Sequence, residues 1–254
     1  MKYLKRFEKE NEYLSYVESD SFLLPNVSLI DEFSGSSGEG AKFNPLPESN
    51  DDPYNGYEYV DLGLPSGTLW AKCNVGGNSE SDYGLYFAWG EVEGYNSSQV
   101  GYEANQRPFD GSDYKWGKGN SITKYKPGLD NLTTLLPEDD AASVNMGGSW
   151  HMPSKEQFEE LYNSSYTTTT WTMVNSIEGI LITSKTNNNT LFLPTSGFCC
   201  WGFVNVVGSY GYCWSSSLDE DPEFAWSLEF SSDNADVTSD SLRHYGHTVR
   251  GVIG

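Results

Sequence analysis

The side chains best suited to redox, metal or nucleophilic chemistry are few, since the chain has four cysteines and three histidines. Cys199 and Cys200 are adjacent, and consecutive side chains of an extended chain point to opposite faces, so this pair lacks the spacing of a metal site. His244 and His247 are three residues apart, which on a strand also separates them and suits neither a shared zinc ion nor a general-base pair. The sequence therefore predicts reduced, partly buried thiols and no metal site.

Acidic side chains form the second group of candidates. Residues 219–223, with Asp233 and Asp236, could supply the oxygens that calcium requires. The Glu-Pro-Asn and Trp-Asn-Asp signatures of calcium-dependent lectins are absent, however, so a solvated acidic loop is the favoured interpretation. Glu91 and Glu93 could act as paired carboxylates, but nothing in the sequence places a sugar cleft around them. Because the chain also has no nucleophile elbow, phosphate-binding loop or dinucleotide fingerprint, it is predicted to be a non-enzymatic protein without a cofactor.

Residues 196–245 are rich in Tyr, Trp, Ser, Gly and Asn. Binding loops use this composition because rigid aromatic rings contribute contact area at a low cost in conformational entropy. The predicted ligand-binding residues are Trp201, Phe203, Tyr210, Tyr212, Trp226, Asp240, Leu242 and His244. The alternative for these rings is a place in the core, above all for Trp226, which alternates with Ala225 and Ser227 on a predicted strand.

Two helices and several strands are predicted to position these residues. Residues 137–147 begin with Pro and end with Gly, and residues 154–162 contain a capping box formed by Ser154 and Gln157. Strands are predicted at 180–184 and 190–194 around a turn, at 224–231 as a half-buried strand, and at 247–253 as the last strand. Two helices followed by short antiparallel strands and long loops predict an α+β fold.

The chain divides into three predicted regions. Residues 3–17 have the apolar spacing of a short amphipathic helix, and residues 23–30 read as an extended segment. Because this unit is too small to bury a core, residues 1–33 are predicted to be an anchoring segment that docks on another surface. Residues 34–56 are predicted to be a flexible Gly-, Ser- and Pro-rich linker, and residues 57–254 to be the main domain.

The charge balance excludes whole classes of partner. Fifteen basic and 36 acidic residues give the 254-residue chain a net charge of −21, which repels phosphate and excludes a nucleic-acid partner. No apolar run approaches the roughly 20 residues of a membrane span. The N-terminus also lacks the apolar stretch of about 7–15 residues that a secretory signal contains. The protein is therefore expected to stay in the cytoplasm of the cell that makes it, without membrane insertion.

Five ordered motifs carry a resemblance to a known family. They are residues 57–71 (YEYVDLGLPSGTLWA), 83–91 (YGLYFAWGE), 147–156 (GGSWHMPSKE), 211–217 (GYCWSSS) and 245–250 (YGHTVR). Together they resemble the major paralogous domain FISUMP, common in gut Bacteroidetes and their phages, which is similar to the C-type-lectin-like superfamily in its formylglycine-generating-enzyme subgroup. The resemblance spans residues 57–254 and implies a C-type-lectin-like domain of α+β class. It implies no oxidase activity, because those enzymes bind copper through two spaced cysteines and Cys199 and Cys200 are adjacent.

Two further resemblances point to a virus particle. Residues 24–28 (LPNVS), after the predicted N-terminal helix, are similar to the start of structural proteins of phages that infect gut Bacteroidetes. Residues 198–244, followed by the motif at 246–250, resemble the mutable C-terminal patch of targets of diversity-generating retroelements. These resemblances imply a module displayed on a phage virion, as a fibre or as a capsid or tail decoration. It would attach to a host cell-surface glycan or protein through its C-terminal aromatic loops.

The resemblance also implies partners within the particle. Residues 1–33 would bind other virion proteins, and the chain would form a homo-oligomer, with a trimer favoured by analogy with fibres. Repeated copies would then bind by avidity. Two alternatives stay open: a purely structural virion decoration protein, and a bacterial surface-binding protein or an enzyme of the formylglycine-generating type.

Overall fold

The structure is a computed structural model that describes residues 52–100 and 108–254. The predicted anchoring segment at 1–33, and most of the linker predicted at 34–56, lie outside the described residues. Residues 50–254 belong to one compact unit. Packing in this unit reaches back to Tyr54, whose carbonyl oxygen accepts a hydrogen bond of 2.7 Å from Nε1 of the buried Trp150.

Eleven strands and two α-helices make up the regular structure of the described residues. The strands are β1 (Tyr59–Asp61), β2 (Leu69–Ala71), β3 (Thr167–Val174), β4 (Ile177–Ser184), β5 (Thr190–Pro194), β6 (Phe198–Cys200), β7 (Phe203–Asn205), β8 (Tyr210–Leu218), β9 (Phe224–Ser231), β10 (Ala235–Leu242) and β11 (Val252–Ile253). The helices are α1 (Ala141–Met146) and α2 (Lys155–Leu161), with short 3₁₀ turns at Gly119–Ser121 and Pro137–Asp139. In this part of the chain, no helix is long and apolar enough to cross a bilayer.

The predicted α+β fold of C-type-lectin type is wrong, because the domain consists mostly of small antiparallel sheets. Both predicted helices exist, but they have only six and seven residues. Helices this short bury too narrow an apolar stripe to form a layer of their own. Strand-forming segments rich in Thr and Ile, such as β3 and β4, dominate instead.

Four sheets share the described strands. Three of them have three strands, in the orders β1-β2-β11, β3-β4-β5 and β8-β9-β10, and the fourth is the two-stranded hairpin of β6 and β7. In this hairpin, Cys199 lies opposite Val204 and Cys200 lies opposite Phe203. Isolated bridges join the hairpin to its neighbours, through Gly197 to Gly211 and through Cys199 to Gly246.

The helix termini follow from local capping. The segment predicted as one helix at 137–147 is broken at Asp140, whose Oδ1 accepts a hydrogen bond of 2.8 Å from the Ser143 amide and so starts α1. The capping box of α2 is confirmed, because Ser154 and Gln157 bond each other reciprocally. Phe158 lies on the apolar stripe of α2 and packs in the core, and this contact helps to anchor the helix.

Two strand predictions need correction. The turn between 184 and 190 is confirmed, but β9 is not half-buried, since Ala225 and Ser227 on the face predicted to be polar have no exposed surface. The predicted last strand at 247–253 is reduced to Val252 and Ile253. Upstream of these, His247 and Thr248 form only isolated bridges, to Phe87 and to Cys213 of β8, and no continuous ladder.

Tryptophan rings centre the two larger core clusters. Trp89, Trp150 and Trp214 lie in one cluster, and Trp70 packs against Phe158 in the other. All five rings are at most 1% exposed. Burial of side chains of this size contributes about 2 kcal/mol or more apiece, so these clusters fix the framework on which the loops stand.

Arg250 is fully buried and anchors the C-terminal segment to two sheets. Its Nε donates to Asn74 Oδ1 at 2.8 Å, and its Nη1 donates to the carbonyl oxygens of Ala71 and Lys72 at 3.0 and 2.6 Å. Its Nη2 donates to the carbonyl oxygen of Phe192 at 3.1 Å. Burial lowers the pKa of this guanidinium to about 10, so it stays charged at neutral pH and depends on these acceptors.

Arg243 anchors the same segment to the long loops. Its Nε donates to the Tyr114 hydroxyl at 3.1 Å, and its Nη1 donates to the carbonyl oxygens of Tyr125 and Pro222 at 3.3 and 2.8 Å. Its Nη2 donates to the carbonyl oxygen of Lys124 at 3.2 Å. A single buried guanidinium therefore joins the C-terminal segment to residues 114–125 and to the loop at Pro222.

Candidate functional site

A group of large apolar side chains is exposed around the β6–β7 hairpin. We call these five side chains the apolar tip: they are Trp201 (58% exposed), Phe203 (51%), Val206 (43%), Val207 (42%) and Tyr210 (37%). They lie within ten consecutive residues, on the hairpin turn, on β7 and in the segment that leads into β8. A soluble protein seldom leaves so many large apolar side chains exposed together unless they contact a partner.

The backbone of the apolar tip is strained. Trp201 and Gly202 have φ values of 54° and 76° and form the two-residue turn of the hairpin, a geometry that favours Asn-Gly. Val206 also has a positive φ, 51°, which is unusual for a β-branched residue. Each such conformation costs about 1–2 kcal/mol. Strain of this kind persists where function requires it and the surroundings enforce it.

Main-chain hydrogen bonds enforce the position of the hairpin. Cys199 and Gly246 exchange two bonds, of 2.7 and 2.8 Å, and the Gly197 amide donates to the carbonyl oxygen of Tyr210 at 2.8 Å. Gly197 has φ 62°, and a Cβ atom there would lie 2.0 Å from the carbonyl oxygen of Asn205. The hairpin thus requires glycine at its base and is held without the use of its exposed side chains.

A cleft of about 280 Å³ adjoins the apolar tip. We call it the acidic cleft, and it is lined by four carboxylates, three aromatic rings and one imidazole: Glu91, Glu93, Asp110, Asp113, Tyr95, Phe109, Tyr114 and His244, with Ala88, Pro108 and Gly111. The Trp201 amide donates a hydrogen bond of 3.2 Å to the carbonyl oxygen of Phe109. The turn of the hairpin is therefore joined directly to a wall of the cleft.

Burial shapes the electrostatics of the acidic cleft. It raises the pKa of Glu91, although that carboxylate accepts a hydrogen bond of 2.8 Å from the Lys115 amide. Burial also lowers the pKa of His244, helped by the charge of Lys118 and opposed by Asp110. The Lys115 ammonium bonds Asp139 instead and leaves the cleft acidic. The cleft can accept hydrogen bonds from hydroxyl or amine groups of a ligand that rests on the apolar tip.

The structure places the predicted binding residues in several locations. Trp201, Phe203 and Tyr210 lie together in the apolar tip, and Tyr212 is half-buried with its ring 6.3 Å from that of Tyr210. His244 lines the acidic cleft.

The remaining predicted residues lie elsewhere. Trp226 is half-buried on β9, with the Lys155 ammonium 3.5 Å from the centre of its ring. Leu242 is half-buried at the end of β10, beside a small crevice next to Arg243. Asp240 belongs to β10, and its side chain lies outside the described part of the structure.

Sequence reasoning missed several members of the site. Val206 and Val207 are visible as an apolar pair just before a turn glycine, which is a weak signal of an exposed loop. Glu91 and Glu93 were considered as paired carboxylates, but the rest of their cleft comes from Ala88, Tyr95, residues 108–114 and the distant His244. Such a long-range arrangement has no local signal.

The thiols and acids form no evident metal centre. Cys199 and Cys213 are buried, Cys73 and Cys200 are half-buried, and all four thiols are free. Burial raises the pKa of the Cys199 thiol, which disfavours the thiolate that a metal would need. Within residues 52–100 and 108–254, no group of three or more His, Cys, Asp or Glu side chains is arranged to hold a metal ion.

This domain consists of small β-sheets and carries an exposed apolar hairpin. Comparisons with known proteins assign it to no family. No family model matches the chain, and neither a curated protein nor a solved structure matches it.

Proposed function

We propose that this protein is a non-enzymatic binding module that attaches to a host cell-surface glycan or protein through the apolar tip. The observation that carries the proposal is the exposure of five large apolar side chains on the strained β6–β7 hairpin and the loop that follows it. Exposure and strain both reduce the stability of the free protein. A bound partner removes the cost of exposure by covering the rings. Such rings are typical anchors of binding surfaces.

The acidic cleft adds polar recognition beside these apolar anchors. Glu91, Glu93 and Asp113 present carboxylates, and the rings of Tyr95 and Tyr114 form part of the walls. A ligand seated on the apolar tip would place its hydroxyl or amine groups within reach of these acceptors. The combination of an apolar core and a polar rim is the usual anatomy of a specific interface.

We propose further that the module is displayed on a phage virion, as a fibre or as a capsid or tail decoration. The sequence resemblances to FISUMP domains and to phage structural proteins support this part of the proposal. Residues 1–33 would bind other virion proteins, and a homo-oligomer, with a trimer favoured, would multiply the weak affinity of one module. The net charge of −21 would limit unspecific adhesion to anionic cell envelopes.

Binding of the full chain to a panel of gut Bacteroidetes isolates and to a glycan array tests the proposal. We expect at least one specific signal, and we expect Trp201→Asn to weaken it at least tenfold because the central ring is lost. Met173→Asn is the matched control, since Met173 is also 58% exposed but lies on β3. Absence of binding to every isolate and glycan would favour a purely structural decoration protein. Equal losses in the two variants would contradict the apolar tip as the binding surface.

A further inference from the structure

His247 is a fully buried titratable side chain with no hydrogen-bond partner on either ring nitrogen. Buried polar atoms are nearly always hydrogen-bonded, because an unpaired one costs free energy. An aromatic or aliphatic side chain would fill the same space without that cost. The imidazole at this position therefore calls for an explanation other than stability.

Aromatic rings enclose this imidazole. The Trp214 ring stacks on it, with centroids 3.9 Å apart and an angle of 16°, and the rings of Tyr212 and Phe198 lie 5.1 and 6.2 Å away. Phe87, which bonds His247 through the backbone, carries no titratable group. Of the side chains that these described elements turn toward the imidazole, the Tyr212 phenol is the one that can titrate. Burial alone lowers the pKa of His247, to about 3, without a contribution from a charged neighbour.

The same rings lead from His247 to the apolar tip. Tyr212 stacks on Tyr210 with ring centroids 6.3 Å apart, and Tyr210 belongs to the apolar tip. Phe198 contacts both Tyr212 and His247 and is the first residue of β6, the inner strand of the hairpin. We call Phe198, Tyr210, Tyr212, Trp214 and His247 the aromatic stack. Any displacement of the imidazole therefore acts on the segments that enter and leave the base of the hairpin.

We infer that His247 is a proton-sensitive positioning residue, which holds the aromatic stack and the apolar tip in place while it is neutral and loosens them in acid. Protonation would place an imidazolium in a buried space where neither ring nitrogen has a hydrogen-bond partner. Cation–π attraction to Trp214 would offset part of the cost, but a buried charge without a hydrogen-bonded partner costs more than such an attraction returns. The stack would therefore open and hydrate the charge.

The direction of the pH dependence follows from linkage. An exposed histidine has its ordinary pKa of 6.5, whereas the closed stack lowers the pKa to about 3. Between these values the open form binds a proton that the closed form does not, so acid favours opening. The equilibrium constant for opening should rise about tenfold for each pH unit below about 6.5. The inference takes its biological meaning from the proposed function, since loosening the apolar tip would release a ligand in acid.

Hydrogen exchange of the full chain between pH 7 and 4.5, corrected for intrinsic exchange rates, tests this inference. We expect amides of residues 197–212 to lose about 100-fold in protection by pH 4.5, while amides of β4 keep theirs. His247→Phe should abolish the loss, and His247→Gln, which also removes the titrating group, replaces it if that variant does not fold. His151→Gln is the control and should behave like the natural protein, because His151 bonds the carbonyl oxygens of Met152 and Gly254 and lies outside both the aromatic stack and the acidic cleft.

Two results would overturn the inference. One is the same acid-induced loss of protection in the His247 variants, and the other is a parallel loss in β4, which would indicate global unfolding. Neither result bears on binding at pH 7, so failure of this inference is distinguishable from failure of the proposed function.

Discussion

The apolar tip and the C-terminal segment at residues 242–250 lie side by side but are held in different ways. In the C-terminal segment, the buried side chains of Arg243 and Arg250 add hydrogen bonds to the main-chain bonds made by residues such as His247 and Thr248. In the hairpin, main-chain bonds such as those between Cys199 and Gly246 fix the chain, while the Trp201 and Phe203 side chains are exposed. The first region is held by its side chains and its backbone together, and the second is held mainly by its backbone.

This difference distinguishes the C-terminal segment, which supports the fold, from the hairpin, which we propose binds a partner. A buried guanidinium tolerates little change, because each of its acceptors was desolvated to receive it. An exposed ring held only by its backbone can be exchanged at a low cost in stability. The two regions meet at the bridge between Cys199 and Gly246, so the C-terminal segment positions the hairpin.

The largest effect should follow from breaking the support. Arg250→Ala would leave Asn74 and three buried carbonyl groups without their donor. We expect a loss of about 3–5 kcal/mol in the free energy of unfolding, measured by urea denaturation. A loss below about 1 kcal/mol would show that water replaces the guanidinium and that this segment is not the support.

A smaller effect should follow from breaking the base of the hairpin. Gly197→Ala introduces a methyl group that would overlap the carbonyl oxygen of Asn205, at a residue with φ 62°. We expect a loss of about 2 kcal/mol in the free energy of unfolding, because the hairpin must shift to accept it. Gly208→Ala is the matched control, since its φ is also positive, 79°, but no atom lies within 4 Å of its added Cβ. Equal losses in the two variants would attribute the effect to backbone strain alone.

The smallest effect should have the opposite sign. Trp201→Asn places at the turn a residue that tolerates positive φ. We expect the free energy of unfolding to rise by about 0.5–1 kcal/mol while ligand binding falls, so that stability and recognition separate at one residue. Thermal unfolding monitored by circular dichroism measures the change. A decrease of more than about 1 kcal/mol would show that the Trp201 ring packs as part of the fold.

Local signals in the sequence predicted local structure well. Ser154 and Gln157 predicted the start of α2, and the turn residues 185–189 predicted the β4–β5 connection. The sequence also singled out Trp201, Phe203 and Tyr210, which lie together in the apolar tip. These successes share a cause, since capping, turns and single hairpins are decided by residues close in the chain.

The fold class and the acidic cleft could not be predicted in the same way. Helical ends were visible at Pro137 and Gly147, but the break at Asp140 depends on its second carboxylate oxygen accepting a hydrogen bond from the Met152 amide. The acidic cleft brings Glu91 together with His244, more than 150 residues away. Such pairings are set by how sheets pack, which residue spacing within one segment does not encode.

The two-residue turn at Trp201 and Gly202 sets the register of the hairpin. This register does not depend on the identity of the outward side chains. The pairing of Cys200 with Phe203, and the bonds from Cys199 to Gly246, involve main-chain atoms only. Replacement of the rings at 201, 203 and 210 would therefore leave the strands aligned. A surface of this kind can acquire new specificities by exchange of a few residues, while the backbone of the hairpin keeps the same geometry.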